Sequence, residues 1–373
     1  MRLYKMELYK LCSRKIFKIG IVCTICILLF FFWIMLMQEC VTVDGVTYRG
    51  YNAVQINRRI TEEFKGAVTD EKISKIIEKY GIPKETEVTS RILKNDNFLN
   101  QFIVLYFFDG YIHDYDTYDY ETGHKISNAI YSVADSNLGK VMELTGKDII
   151  FEYYRGWGVF LNLLLIGFIF GSVIILFTIS IVFAGERQAG MLPLLFTTIE
   201  GKGKDIYAKI VAAFTVAVGI WFGVIIFALI LSGIVYGFDG LNCYSGMVLS
   251  YLWPSPEYMI PMYYFIPMAL LLSFLGIVSL CAITLCISAY CKSNFNAVVV
   301  AAICWAAPFL IAMFFDGLRG GLSYLYSAPL FMVMYMTIFN VYNIWRMLPC
   351  ISAVVAIFCS CIAYRKYKVQ TLS

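Results

Sequence analysis

Six stretches of the sequence are apolar over about the 20 residues that a helix needs to cross the hydrocarbon core of a bilayer. They are Ile19–Met37, Gly158–Phe183, Val211–Val235, Tyr263–Tyr290, Ala297–Phe315 and Leu348–Tyr364. The chain is 60% hydrophobic and 15% charged, whereas soluble domains carry about 25% charged residues. Because backbone polar groups must bond internally in hydrocarbon, we expect helices. The sequence therefore predicts an all-α polytopic membrane protein with six transmembrane helices.

The distribution of lysine and arginine predicts the orientation of the chain in the membrane. Six basic residues lie within residues 1–18 and four in the loop 182–210, whereas the short loops on the other side hold only Arg319 and Arg346. Cytoplasmic loops carry the excess of basic residues. No small-residue cleavage site follows the first stretch, so we expect it to be retained as span 19–37. Both termini are then cytoplasmic, and the net charge of +4 requires no nucleic-acid partner.

Residues 1–18 are predicted to form a cytoplasmic helix that lies in the membrane interface. One face of such a helix is apolar or aromatic, and the basic side chains lie elsewhere around it. The face consists of Tyr4, Leu8, Leu11 and Cys12. A basic anchor without fixed structure is the alternative.

Residues 38–155 have the composition of a soluble protein, with fourteen lysines and arginines against nineteen aspartates and glutamates. Their number suits one small domain, which we expect to be external and mainly α-helical. One helix should begin at Thr69 or Asp70, either of which can cap it, and stop at Gly81. A second helix is predicted over Lys125–Leu144.

An acidic and aromatic stretch of this domain has the residue types of a hard-metal site. It contains Asp109, His113, Asp114, Asp116, Asp119 and His124. The Asp-x-Asp-x-Asp-Gly order of a calcium loop is absent. We favour a solvated acidic loop and predict no metal site.

The twelve cysteines do not predict a disulfide framework. Most lie within the apolar stretches, where cysteine packs as a small apolar residue. Cys40 and Cys243 are expected to lie outside the membrane, and whether they pair stays open.

Residues 316–344 are too broken for a span and too apolar for a solvated loop. Glycines begin the segment, and Pro329 interrupts its apolar part. Irregular backbone at membrane depth is tolerated where protein buries it. A re-entrant outer hairpin before the sixth span fits best.

Several enzyme and transporter motifs are missing from the sequence. No Asp, Glu, Lys, Arg or His falls within the six apolar stretches, although ion-coupled transporters keep such groups at membrane depth. Neither a His-Glu-x-x-His zinc motif nor a Gly-x-Ser-x-Gly nucleophile turn occurs, and the Gly-x-x-x-x-Gly-Lys-Ser/Thr phosphate loop is absent. We therefore predict that the chain is not an enzyme and cannot hydrolyse ATP by itself.

The loop between the second and third spans, residues 184–209, combines charges with an apolar cluster. Glu186 and Arg187 precede Gly190, and a basic run that includes Lys202 closes the loop. The apolar cluster comprises Leu192, Leu194, Leu195 and Phe196. Such a loop at a membrane face is suited to docking another protein, and burial of its apolar residues among lipid headgroups is the alternative.

Two pairs of glycines have the spacing that lets transmembrane helices approach closely. Gly167 and Gly171 lie in the second span, and Gly219 and Gly223 lie in the third. They suit either packing between neighbouring spans or a dimer interface.

The order of these features resembles the permease subunit of an ATP-binding-cassette (ABC) exporter of the six-span type-2 class. MELYKLCSRKIFKIG, residues 6–20, is similar to the family's first helix and the start of its first span. VFAGERQAGMLPLLFTT, residues 182–198, followed by Lys209, is similar to the family's signature between spans two and three. That signature has a Glu, a Gly four residues later, a leucine-rich turn and a Lys that opens span three. Pro193 inside the turn departs from it.

The resemblance implies that separate cytoplasmic ATPase subunits, which bind ATP and Mg²⁺, power outward transport through residues 156–373. Loop 184–209, with the charged and apolar residues named above, would dock those subunits. This chain would bind no cofactor and would pair with a second identical or related permease in a bacterial plasma membrane. The alternative is a membrane-anchored sensor or immunity-type protein whose external domain, 38–155, binds a ligand.

Overall fold

A computed structural model describes residues 2–81, 95–107, 132–191, 203–249, 260–315, 325–334 and 347–369. Most of these residues are helical. Six helices are long and apolar enough to cross a membrane: Lys15–Gln38, Arg155–Gln188, Lys204–Tyr236, Met262–Tyr290, Asn294–Phe314 and Leu348–Val369. Each coincides with a predicted span, which confirms the prediction of a mainly helical, multi-pass membrane protein.

The elements follow the chain in one order, with four short strands among the helices. They are α1 (Arg2–Cys12), α2 (Lys15–Gln38), β1 (Cys40–Val43), β2 (Val46–Arg49), α3 (Tyr51–Glu63), β3 (Gly66–Ala67), α4 (Asp70–Tyr80), α5 (Phe98–Phe107), α6 (Asn137–Thr145), β4 (Ile150–Phe151), α7 (Arg155–Ile179), α8 (Ile181–Gln188), α9 (Lys204–Tyr236), α10 (Ser245–Val248), α11 (Met262–Tyr290), α12 (Asn294–Phe314), α13 (Pro329–Val333) and α14 (Leu348–Val369).

The chain divides into two compact units. Unit 1 comprises Met1–Phe30, Asn162–Leu229 and Pro267–Ser373, and so holds α1 and most of each long apolar helix. Unit 2 comprises Phe31–Leu161 and Ile230–Ile266. It therefore contains all of the predicted domain 38–155 together with adjoining helix ends.

The predicted helix over residues 1–18 is two helices in the structure. α1 ends at Cys12, and α2 already begins at Lys15, so the first apolar helix includes basic residues at its start. The Ser13 hydroxyl donates to the Lys10 carbonyl at 3.3 Å. Side-chain bonds of this kind compete with the helical backbone pattern, which accounts for the break.

The first glycine pair brings α7 close to α9. A Cβ at Gly167 would lie 2.4 Å from the Val224 side chain, and one at Gly171 would lie 3.0 Å from an isoleucine of α9. Small residues allow such close backbone approach. Gly219 and Gly223 differ, because no described atom lies within 4 Å of a Cβ built at either position.

The described part of the predicted outer hairpin, residues 325–334, contains the short helix α13. Pro329 is its first residue, where a missing N–H breaks no helical bond. α13 packs against the middle of α11, since a Cβ at Gly276 would lie 2.9 Å from the Pro329 carbonyl oxygen. The remainder of 316–344 lies outside the described residues.

Unit 2 begins with a β-hairpin that the prediction of a mainly helical domain did not include. β1 and β2 pair antiparallel, from Cys40 opposite Arg49 to Val43 opposite Val46. Asp44 and Gly45 connect them with φ of 50° and 79°. Two positive φ angles fit the turn type that joins twisted strands, and Asp-Gly is a preferred sequence for it. A second two-stranded sheet joins β3 to β4.

One of the two helices predicted for this domain is confirmed, and the start of the other is wrong. α4 covers Asp70–Tyr80, and its Thr69 cap accepts a hydrogen bond from the Lys72 amide at 3.3 Å. Residues 132–136 are not helical, and α6 begins only at Asn137. The Ser136 hydroxyl accepts from the Gly139 amide at 3.1 Å and so caps α6. Residues 108–131, including the acidic stretch, lie outside the described residues.

Candidate functional site

The Glu186 carboxylate lies at the centre of a buried charge cluster within unit 1. α8 carries this residue, and its side chain is 6% exposed. Oε1 accepts a hydrogen bond from Lys10 Nζ at 2.7 Å, and Oε2 accepts one from the Tyr367 hydroxyl at 2.6 Å. Both carboxylate oxygens therefore have partners on other helices.

Lys209 is the second centre of the cluster, and it is almost fully buried. Its ammonium nitrogen lies 3.3 Å from Glu186 Oε1 and 3.4 Å from Glu7 Oε1. It also donates a hydrogen bond to Asp205, one helical turn earlier on α9. Residues four apart share a helix face, so α9 presents both charges to the cluster.

The charges of the cluster balance. Three carboxylates, Glu7, Glu186 and Asp205, face the ammonium groups of Lys10 and Lys209. Arg14 lies close enough to feel the charges of Glu7 and Glu186, which makes three cations for three anions. An unpaired buried charge costs several kcal/mol, so each member depends on the others.

The cluster joins four helices that are far apart in the sequence. α1 supplies Glu7 and Lys10, α8 supplies Glu186, α9 supplies Asp205 and Lys209, and α14 supplies Tyr367. The ring of Tyr367 also lies 4.5 Å from that of Phe183 on α8. Displacement of α8 would therefore break contacts with three other helices at once.

Arg187 attaches α8 to a different part of unit 1. Its guanidinium donates to the Cys291 and Ala289 carbonyl oxygens, each at 2.6 Å. These carbonyls lie at the end of α11, where cationic side chains are favourable. The Ser288 hydroxyl accepts from the Phe183 and Ala184 amides at 3.0 and 3.2 Å. Glu186 and Arg187 are adjacent in sequence but connect α8 to different helices.

Gly190 ends this helical segment. Its φ is +67°, and its amide bonds to the Arg187 carbonyl at 3.1 Å. Glycine adopts such a left-handed conformation without the steric cost that a Cβ carries. The predicted docking residues Leu192, Leu194, Leu195, Phe196 and Lys202 lie outside the described residues.

Sequence reasoning identified Glu186 and Arg187 but not most of their partners. It offered both as charges for a docked protein, and the structure places both in contacts within the chain. Glu7 and Tyr367 were missed, because they lie far from the loop in sequence. Glu7 is the one acid within residues 1–18, and Asp205 stands four residues before Lys209. Those two signals were visible in the sequence.

The cluster offers strong ionic contacts and no constellation for catalysis. No group of three His, Cys, Asp or Glu side chains that could hold a metal occurs among the described residues. A balanced set of buried charges is suited to holding helices together or to switching between two arrangements. Comparison with protein-family models, with curated proteins and with solved structures gives no match for this chain.

Proposed function

We propose that this chain is the membrane-spanning permease subunit of an ABC exporter, and that separate ATPase subunits dock on the loop between α8 and α9. The transport is outward and uses ATP hydrolysed by those subunits. The chain functions as a dimer with a second copy or a related permease.

The observation that carries this proposal is the charge cluster at both ends of the loop. Glu186 precedes the loop and Lys209 follows it, and their side chains lie 3.3 Å apart. A partner that moves the loop therefore acts on α1, α8, α9 and α14 together. A power-transmitting loop requires this property, whereas a plain connector does not.

The contacts assign different roles to the residues of the loop. Glu186, Arg187 and Gly190 fix the base of the loop by contacts within the chain. The apolar cluster from Leu192 to Phe196 is then left to contact the ATPase. Charge-assisted contacts from Glu186 to a partner do not belong to this arrangement, because its carboxylate is buried.

Co-purification with an ATPase subunit encoded beside this chain tests the proposal. Residues 192–202 would be replaced by a Gly/Ser linker of equal length. We expect ATPase association and ATP-driven export from proteoliposomes to be lost, while the melting temperature in detergent stays unchanged. The matched control replaces residues 108–118, a segment of the same length in the external domain, and should retain the ATPase. Normal association after the 192–202 replacement would contradict the docking assignment.

A second candidate is a sensor whose external part binds a ligand. Unit 2 favours it because it has an aromatic core of its own, in which Phe98 lies 4.8–5.6 Å from Phe151, Tyr153 and Tyr154. Ligand binding by the full chain, with no ATPase association under any condition, would favour this function over export.

A further inference from the structure

We propose that unit 1 binds an anionic phospholipid, with the acyl chain in an apolar groove along α9 and the headgroup in an adjoining basic cavity. This inference does not rest on the exporter function. It requires only that the six apolar helices lie in a bilayer.

The groove has a volume of about 390 Å³ and is lined by α1, α2, α7 and α9. Its walls are almost wholly apolar and include Ile21, Leu28 and Ile220. Gly219 and Gly223 line it as well, and no described atom lies within 4 Å of a Cβ built at either one. The missing side chains of these two glycines thus leave the space open.

The length of the groove matches one leaflet. Its lining runs from Thr215 to Phe227 on α9, which at 1.5 Å per residue is about 18 Å. Half of a hydrocarbon core is about 15 Å thick. A single acyl chain that enters at the headgroup level would fill this length.

A basic cavity adjoins the groove at the beginning of α9. It has a volume of about 990 Å³, and its lining includes Arg2, Lys204 and three tyrosines. The tyrosines are Tyr4, Tyr207 and Tyr364. Cationic and aromatic side chains are typical of the membrane interface, where they contact anionic headgroups.

The acids near this cavity are already engaged. Asp205 bonds to Lys209, and Glu7 lies 3.4 Å from Lys209 and 3.6 Å from Lys10. Arg2 is exposed. The first turn of a long helix adds the positive end of its dipole. The charge presented to a ligand is therefore positive, which complements a phosphate.

The cavity and the groove meet at one hydrogen bond. Tyr4 lines the cavity and Thr215 lines the groove, and the Tyr4 hydroxyl donates to Thr215 Oγ1 at 3.1 Å. α1 and α9 both line the two spaces. A headgroup at Arg2 is thus connected to an acyl chain beside Gly219.

The volume argues against a helix of a second copy as the occupant. A helix about 10 Å across and 18 Å long occupies about 1,400 Å³, several times the volume of the groove. An acyl chain is thin enough to fit. A free phosphate would satisfy the basic cavity but would leave the groove unfilled.

Native mass spectrometry of the purified full chain tests the proposal, after incubation with an equimolar mixture of phosphatidylglycerol and phosphatidylcholine of the same chain length. We expect wild type to retain phosphatidylglycerol at least tenfold more than phosphatidylcholine. The double variant G219L/G223L should reduce retention at least tenfold, because leucine side chains fill the groove. Ile226→Phe adds bulk at an exposed position of the same helix outside the groove and should retain the lipid.

Charge variants test the headgroup position. Arg2→Gln should lower the preference for phosphatidylglycerol several-fold, whereas Lys5→Gln, which removes the same charge from a residue outside the cavity lining, should leave it unchanged. Excess glycerol phosphate should not displace the lipid. If the leucine variant loses melting temperature, Ile21→Trp fills the groove from α2 instead.

Three outcomes would overturn the proposal. They are equal retention of the two lipids by wild type, full retention by both groove-filling variants, and loss of dimer with unchanged lipid retention in G219L/G223L. The last outcome would show that the two glycines contact a second copy.

Discussion

Lys209 is 1% exposed and charged, so its free energy depends on the carboxylates that α1 and α8 bring to it. We expect Lys209→Met to destabilise the chain by about 3–5 kcal/mol, because Glu186 and Asp205 lose a buried counter-charge. The melting temperature in detergent measures this loss.

Lys10→Met is the matched control for that substitution. Lys10 also contacts Glu186, at 2.7 Å, but its side chain is 41% exposed. Water partly replaces the lost contact, so we expect a smaller loss of about 1 kcal/mol. Equal losses in the two variants would show that burial does not set the energy of the cluster.

Glu39 makes the stability of the chain depend on pH. Burial raises the pKa of its carboxyl group, and Arg155, 3.9 Å away, opposes the shift. A raised pKa in the folded state means that ionisation costs the folded chain more than the unfolded one. Stability is therefore expected to fall as pH rises from about 4.3, the usual value for glutamate, through the raised pKa. Glu39→Gln should remove this dependence, so that the melting temperatures of the two proteins converge in acid and separate at neutral pH. A constant difference across that range would contradict the assignment.

At the scale of elements, the two glycine pairs have the same spacing but different surroundings. We expect Gly167→Ala to destabilise the α7–α9 contact by about 1–3 kcal/mol, because the new methyl group overlaps Val224. Gly219→Ala should be neutral or stabilising by up to about 1 kcal/mol, because alanine favours the helix and meets no neighbour. Thermal unfolding of the two variants side by side checks this, and a loss in Gly219→Ala alone would contradict it.

Local signals predicted elements well where a cap or a turn is encoded by adjacent residues. Thr69 and Gly81 fix both ends of α4. The Asp44-Gly45 turn carried an equally local hairpin signal that was not used. The start of α6 was missed because the capping role of Ser136 depends on its contact with Gly139. A helical pattern alone does not indicate where the chain turns.

At the scale of the whole molecule, the positive-inside distribution predicts that both termini face the cytoplasm. A cysteine added after Ser373 should resist a membrane-impermeant maleimide in intact cells and react after lysis. Cys40 is exposed in the structure and predicted to be external. It should react in intact cells, whereas Cys243 is buried, and burial raises the pKa of its thiol to about 12, so it should not. Labelling of the C-terminal cysteine from outside would reverse the orientation.

The sequence by itself determined the six apolar helices and their approximate bounds, because a 20-residue run of apolar side chains has one stable form in hydrocarbon. It also marked Glu186 and Arg187 as unusual, since charges beside a span are costly unless they are used. Only the tertiary structure decided that Glu186 meets Lys10, Lys209 and Tyr367. Those contacts join positions as much as 181 residues apart, and no local pattern encodes such a distance. Which buried charges compensate one another is settled only when the helices pack, and that packing made a cluster from residues that looked like separate surface charges.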